Sequence, residues 1–78
     1  MSYLQELKDR IAPELASKGI KVLPKGSSVL RVVKDTEVVM TISDRGDYVE
    51  LDYKGKSYKY DKWYTKPEHL AKVILGQF

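Results

Sequence analysis

Two hairpin turns set the register of the central part of this chain. Three segments rich in β-branched and aromatic residues, 38–43, 48–53 and 56–60, are separated by short turns that contain glycine. Two-residue turns at Lys54-Gly55 and at Arg45-Gly46 independently assign the same side chains to one face of an antiparallel sheet. That set comprises Val38, Met40, Ile42, Val49, Leu51, Tyr58 and Tyr60. Because a slip of one residue would turn a whole strand over, this agreement constrains the fold.

A fourth segment, residues 29–33, precedes these three and extends the meander. A two-residue turn at Asp35-Thr36 would direct Arg31 into the core, whereas a three-residue loop places Leu30 and Val32 there. The three-residue loop is therefore the preferred connection. It leaves a second sheet face of mixed character. The side chains expected on that face are Val29, Arg31, Val33, Val39, Thr41, Tyr48 and Glu50.

Amphipathic helices are predicted at both ends of the chain. Ser2 and Gln5 have the spacing of a capping box, and apolar residues recur behind them at helical intervals as far as Leu15. Thr65 and Glu68 repeat the capping box before the second helix. Each helix therefore has one apolar stripe that must be buried against another element.

Together these segments predict a single two-layer α+β domain over residues 1–78. It has an N-terminal helix, an antiparallel meander of four strands and a C-terminal helix, with a short extra strand at 20–23 as an alternative. Both helices are expected on the face that carries Met40 and Ile42, because those side chains need cover. The second face is then open to solvent.

Composition narrows the classes of function. With 42% hydrophobic and 32% charged residues, the chain has the character of a small globular domain rather than a disordered one. It has no cysteine, which predicts a cytoplasmic protein without disulfides or thiolate metal sites. No apolar run is long enough to span a membrane. One histidine, His69, and carboxylates scattered over different elements indicate no catalytic residue, metal site or cofactor, so a non-enzymatic protein is predicted.

Positive charge is concentrated in residues 53–66, which contain five lysines and one acid in a chain of net charge +3. Lysines displace counterions from phosphates, and exposed aromatic rings stack on unpaired bases. The candidate nucleic-acid-binding residues are Lys54, Lys56, Lys59, Lys62, Trp63, Tyr64 and Lys66. The alternative interpretation is that the lysines protect a sheet edge from pairing with other molecules, while the rings seal the core.

The second sheet face is the other candidate surface. It is too apolar for a fully solvated face and too polar for a core, which is typical of a protein interface. The candidate interface residues are Val29, Arg31, Val33, Val39 and Tyr48. Strands favour β-branched residues for packing alone, so the pattern does not require a partner. The sequence thus predicts a small intracellular binding protein that associates with itself or another protein, with low-specificity nucleic-acid binding as the alternative.

Overall fold

The computed structural model describes residues 2–78. Residue 1 of the predicted domain, 1–78, lies outside the described residues. Within residues 2–78, two helices flank five strands. The elements are α1 (Tyr3–Ala16), β1 (Ile20–Lys25), β2 (Val29–Lys34), β3 (Glu37–Asp44), β4 (Tyr48–Tyr53), β5 (Lys56–Asp61) and α2 (Pro67–Leu75). The strands form one antiparallel sheet in chain order, β1 to β5. The predicted α+β fold is confirmed, and the alternative strand at 20–23 is a full fifth strand.

Both helices pack on one face of the sheet. α1 begins after Ser2, whose hydroxyl accepts a hydrogen bond from the Gln5 amide at 3.1 Å, the first of the two bonds of the predicted capping box. The Gln5 side chain donates to the Asp9 carboxylate. The helices contribute Leu4, Leu7, Ile11, Leu15, Leu70, Ala71 and Ile74 to the core. The strands contribute Ile20, Val22, Leu30, Val32, Met40, Ile42, Val49 and Leu51. No helix among the described residues is long and apolar enough to cross a membrane.

The start of α2 differs from the prediction. Lys66, rather than Thr65, is the N-cap residue, and its side chain makes no capping hydrogen bond. Pro67 occupies the first turn, where a missing amide hydrogen is tolerated. The carbonyl oxygen of Thr65 instead accepts a hydrogen bond from the Tyr3 hydroxyl at 2.6 Å. The predicted capping box at Thr65 and Glu68 is therefore wrong.

The β4–β5 hairpin has the predicted register. Leu51 lies opposite Tyr58, and Glu50 lies opposite Lys59. Lys54 and Gly55 form the turn with φ angles of 51° and 76°, which suit the twist of a tight hairpin. Since β5 is an edge strand, Tyr58 remains 40% exposed although it faces the helices. Its predicted face is therefore confirmed, but the burial expected for that face is wrong.

The β3–β4 turn lies one residue further along the chain than predicted. Met40 pairs with Tyr53 rather than with Leu51, because the turn is centred on Gly46 and Asp47. The Asp44 carboxylate accepts a hydrogen bond from the Gly46 amide at 2.9 Å, which stabilises the turn at this position. The pairing is displaced by two residues, an even number, so every side chain keeps its predicted face.

A β-bulge lies in the β2–β3 hairpin. Lys34 pairs with Glu37 across a two-residue turn, but the register shifts between Val32 and Val33, and Val39 has no partner in β2. The shift brings Leu30 and Val32 to the core, as predicted, without the predicted three-residue loop.

The same bulge changes the faces of two valines. Val38 pairs with Val33 on the second face and is 48% exposed, whereas Val39 is partly buried and packs against the core. The predicted positions of Val38 in the core and of Val39 on the second face are both wrong. The extra residue in the strand is the physical reason.

Candidate interaction surfaces

The sheet face opposite the helices, called the open face below, is ordered into rows of side chains that run across the strands. One row crosses all five strands through Leu23, Arg31, Thr41, Asp52 and Ser57. The adjacent row contains Lys25, Val29, Ser43, Glu50 and Lys59. A shorter row contains Lys21, Val33 and Val38. Neither helix packs on this face.

Four apolar side chains cluster on the β1–β3 part of the open face: Leu23, Val29, Val33 and Val38. Leu23 and Val38 are each 48% exposed, while the other two are half-buried. The sequence analysis placed Val29 and Val33 on this face but missed the two most exposed members. Alternation through a longer β1 would have found Leu23, whereas Val38 depends on the bulge.

Charge is distributed unevenly over the open face. Its β1–β2 half carries Lys21, Lys25 and Arg31 and no acid. Its β4–β5 half carries Glu50, Asp52 and Asp61 together with Lys59. The uncharged side chains of Thr41 and Ser43 on β3 separate the two halves. The face is therefore basic on one side and acidic on the other.

Some of these charged groups have partners and others do not. Arg45 contacts Glu50 at 3.1 Å between Nη2 and Oε1, and the Lys59 Nζ lies 5.6 Å from the centre of the Tyr48 ring. Asp52 accepts a hydrogen bond from the Ser57 hydroxyl. Within residues 2–78, neither Arg31 nor Asp52 has an oppositely charged side chain close enough for an ion pair. Both charges remain available to a second molecule.

A hydrogen-bonded turn presents two aromatic rings beyond the end of β5. Trp63 is 77% exposed and Tyr64 is 82% exposed, so the alternative in which they seal the core is wrong. The Asp61 carboxylate accepts hydrogen bonds from the Trp63 amide at 2.8 Å and the Tyr64 amide at 3.3 Å. The Thr65 amide donates to the Asp61 carbonyl at 2.8 Å. These bonds hold the backbone that carries the rings.

The predicted lysine cluster is dispersed over several surfaces. Lys54 lies at the hairpin tip and Lys66 lies beyond the other end of β5, a strand that spans roughly 20 Å. Strand alternation places Lys56 on the helix side and Lys59 on the open face. Lys66 accompanies the exposed rings, with its Nζ 5.3 Å from the centre of the Trp63 ring. The structure therefore does not bring these lysines into one basic patch.

Lys62 is occupied by a structural contact. Its Nζ lies 2.6 Å from the Asp44 Oδ1 and 5.7 Å from the centre of the Tyr3 ring. Burial raises the pKa of Asp44, but hydrogen bonds from Lys62 and the Gly46 amide and the Lys62 charge outweigh it and leave that pKa lowered. Lys62 thus links the turn after β5 to the end of β3.

An open groove of about 710 Å³ lies between the start of β3 and the β4–β5 hairpin tip. It exists because β4 ends at Tyr53, which leaves the first residues of β3 without a neighbour on that side. Its lining residues include Val38, Tyr53, Lys54 and Phe78.

Across the part of the chain that the structure describes, no group of three acidic or histidine side chains could hold a metal ion. Comparison with protein-family models, curated proteins and solved structures finds no match to this chain.

Proposed function

We propose that this chain is a small non-enzymatic association domain that binds another protein chain through its open face. The observation that carries the proposal is the uncovered apolar cluster, in which Leu23 and Val38 are each 48% exposed. Burying apolar surface contributes about 25 cal/mol per Å². Stacking a second layer on the sheet is a common way to cover such a face. In this proposal the protein acts in the cytoplasm, where a chain without cysteine needs no oxidising environment.

The size of the open face sets the expected strength of binding. Five strands of about six residues present on the order of 400 Å² in projection. Two such faces together amount to roughly 800 Å², which is below the ~1,200 Å² at which stable specific interfaces begin, so we expect weak and reversible binding rather than a permanent complex. The charged residues beside the apolar cluster agree with such an interface, because transient interfaces keep a polar rim.

The proposal can be tested by sedimentation velocity with fluorescently labelled protein, alone at high concentration and in an extract of cells that express it. Wild type should sediment faster than a monomer in at least one condition. Val33→Lys, which introduces a charge within the apolar cluster, should abolish this shift. Tyr64→Lys is the matched control, because Tyr64 is 82% exposed and lies away from the open face. A monomer in both conditions, or equal loss with both variants, would refute the proposal.

Single-stranded nucleic acid is the second candidate ligand, favoured by the adjacent exposed rings of Trp63 and Tyr64. The two side chains are 77% and 82% exposed, so their rings are free to stack on bases. Lys66 supplies one cation close to the Trp63 ring. Each stacked base contributes roughly 1–3 kcal/mol. We rank this function second because the remaining lysines are dispersed and Lys62 is paired with Asp44.

Trp63 is the only tryptophan of the chain, so its fluorescence reports this contact directly. A single-stranded oligonucleotide should quench the fluorescence in low salt, and the apparent affinity should fall as salt is raised. Lys66→Ser should weaken the quenching, whereas Lys25→Ser, a lysine on the open face, should not. Unchanged fluorescence at low salt would eliminate nucleic acid as a ligand of these rings.

A further inference from the structure

We propose that the partner on the open face is a second copy of this chain, related by a two-fold axis that runs parallel to β3. This inference rests on the proposed function and identifies its partner. It is argued from the uneven distribution of charge on the face and from the order of the strands.

The two halves of the open face carry opposite net charge. The β1–β2 half is basic, with Lys21, Lys25 and Arg31 and no acid. The β4–β5 half has an excess of acidic over basic side chains. A surface with this distribution attracts a copy of itself only when opposite halves meet.

The strand order determines which two-fold arrangement brings opposite halves together. β3 is the middle strand of the five. Rotation about an axis parallel to β3 places the β1–β2 half of one copy on the β4–β5 half of the other. Rotation about an axis perpendicular to the strands, in the plane of the interface, places each half on its own counterpart and opposes like charges. Charge therefore selects the first arrangement, in which the strands of the two sheets are aligned, as in a β-sandwich.

The row that contains Arg31, Thr41 and Asp52 gives this arrangement specific contacts. Thr41 lies on β3 between the other two side chains, with Arg31 on one neighbouring strand and Asp52 on the other. If the axis passes over Thr41, Arg31 of each copy lies over Asp52 of the other. The two groups lack an ion-pair partner within their own chain, as far as residues 2–78 are concerned. The dimer would contain two ion pairs between Arg31 and Asp52, one on each side of the axis.

Two members of the apolar cluster, Leu23 and Val29, are covered in the same arrangement. Leu23 and Ser57 are at opposite ends of the central row, so Leu23 of one copy lies over Ser57 of the other. In the adjacent row Val29 of one copy lies over Glu50 of the other. The same rotation brings Lys25 over Lys59, but both lysines are exposed at the sheet edges, where solvent and salt screen their repulsion. Leu23 and Val29 are thereby covered in both copies, and the Arg31–Asp52 pairs fix the orientation.

Charge reversal with mixing tests this arrangement. The dissociation constant of purified protein would be measured by sedimentation equilibrium, with circular dichroism as the check on folding. Arg31→Asp and Asp52→Arg should each weaken self-association at least ~10-fold, because each opposes like charges at two symmetric positions. An equimolar mixture should regain wild-type affinity, because each copy then offers the charge that the other requires. The double variant Arg31→Asp, Asp52→Arg should also dimerise like wild type.

Arg10→Asp on α1 is the matched control and should leave the affinity unchanged. Failure of the mixture to regain affinity, or wild-type affinity in both single variants, would overturn the arrangement. A purified wild type that remains monomeric at the highest concentration reached would overturn the inference itself. The proposed function has its own test, which is the sedimentation experiment in cell extract. It would fail only if the wild type also formed no larger species there, or if the Val33→Lys variant formed the same species.

Discussion

The Nζ atom of Lys62 lies 2.6 Å from the Oδ1 atom of Asp44, which joins the turn after β5 to the last residue of β3. The two side chains are only 25% and 19% exposed, so solvent screens this pair less than a typical surface pair. Lys62, a candidate nucleic-acid-binding residue in the sequence, is thus paired with an acid of its own chain.

Asp44→Asn should lower the free energy of unfolding by about 1 kcal/mol at neutral pH, through loss of the charged hydrogen bond. The pKa of Asp44 is lowered in the folded state because the bonds from Lys62 and Gly46 outweigh burial, which acts in the opposite direction. The stabilisation is therefore complete above the ordinary carboxyl pKa of about 4 and is lost as pH falls through the folded-state value. Urea unfolding of both proteins across this range measures the difference.

The difference between wild type and Asp44→Asn should disappear at low pH. Asp47→Asn, in the neighbouring exposed turn, is the control and should change stability by less than about 0.5 kcal/mol. A difference between wild type and Asp44→Asn that persists unchanged at low pH would contradict the role given to the Lys62 contact.

The bulge predicts opposite behaviour for two adjacent valines. Val39→Lys should lower the free energy of unfolding by ~1–3 kcal/mol, because Val39 packs against the core. Val38→Lys should change it by less than about 0.5 kcal/mol, because Val38 lies on the open face and is 48% exposed. Chemical denaturation of both variants provides the comparison. Equal losses, or a larger loss at Val38, would show that the bulge is absent.

Tyr3 should stabilise the start of α2 more than Thr65 does. Tyr3→Phe removes the 2.6 Å hydrogen bond to the Thr65 carbonyl, and we expect a loss of about 1 kcal/mol. Thr65→Ala should lose less than about 0.5 kcal/mol, because its hydroxyl does not cap the helix. Thermal unfolding of the two variants would show this order, and the reverse order would restore Thr65 as the N-cap.

Tyr3 also predicts a loss of stability at alkaline pH. Burial, aided by the negative charge of Glu6, raises the pKa of Tyr3 from 10.0 to about 12. The folded state thus retains the proton more strongly, so its stabilisation is complete below pH 10 and is lost as pH rises towards 12. The free energy of unfolding should fall more steeply over this interval in wild type than in Tyr3→Phe. Parallel curves would contradict the burial of the Tyr3 hydroxyl.

Much of the fold could be predicted from side-chain alternation. Met40, Ile42, Val49 and Leu51 are buried as predicted, although the β3–β4 pairing differs by two residues. The error was harmless because an even displacement preserves the faces. The hydrogen bond that fixes the turn depends on the Asp44 side chain, and alternation in the strands does not reveal it.

The candidate surfaces were harder to predict, because they depend on single irregularities. The bulge exchanged the positions of Val38 and Val39 and thereby changed the composition of the open face. The lysines of residues 53–66 are close in sequence, but a strand places alternate side chains on opposite faces and separates its two ends. Local charge in the sequence therefore overstated the charge of any one surface.

Methyl NMR spectra of isotopically labelled wild type, recorded through a dilution series, test most directly whether a second copy covers the open face. We expect resonances of Leu23 and Val29 to shift with concentration, while those of the core residues Leu7 and Ile74 stay constant. Methyl shifts that do not change with concentration, or that change on α2 and not on the open face, would contradict the account.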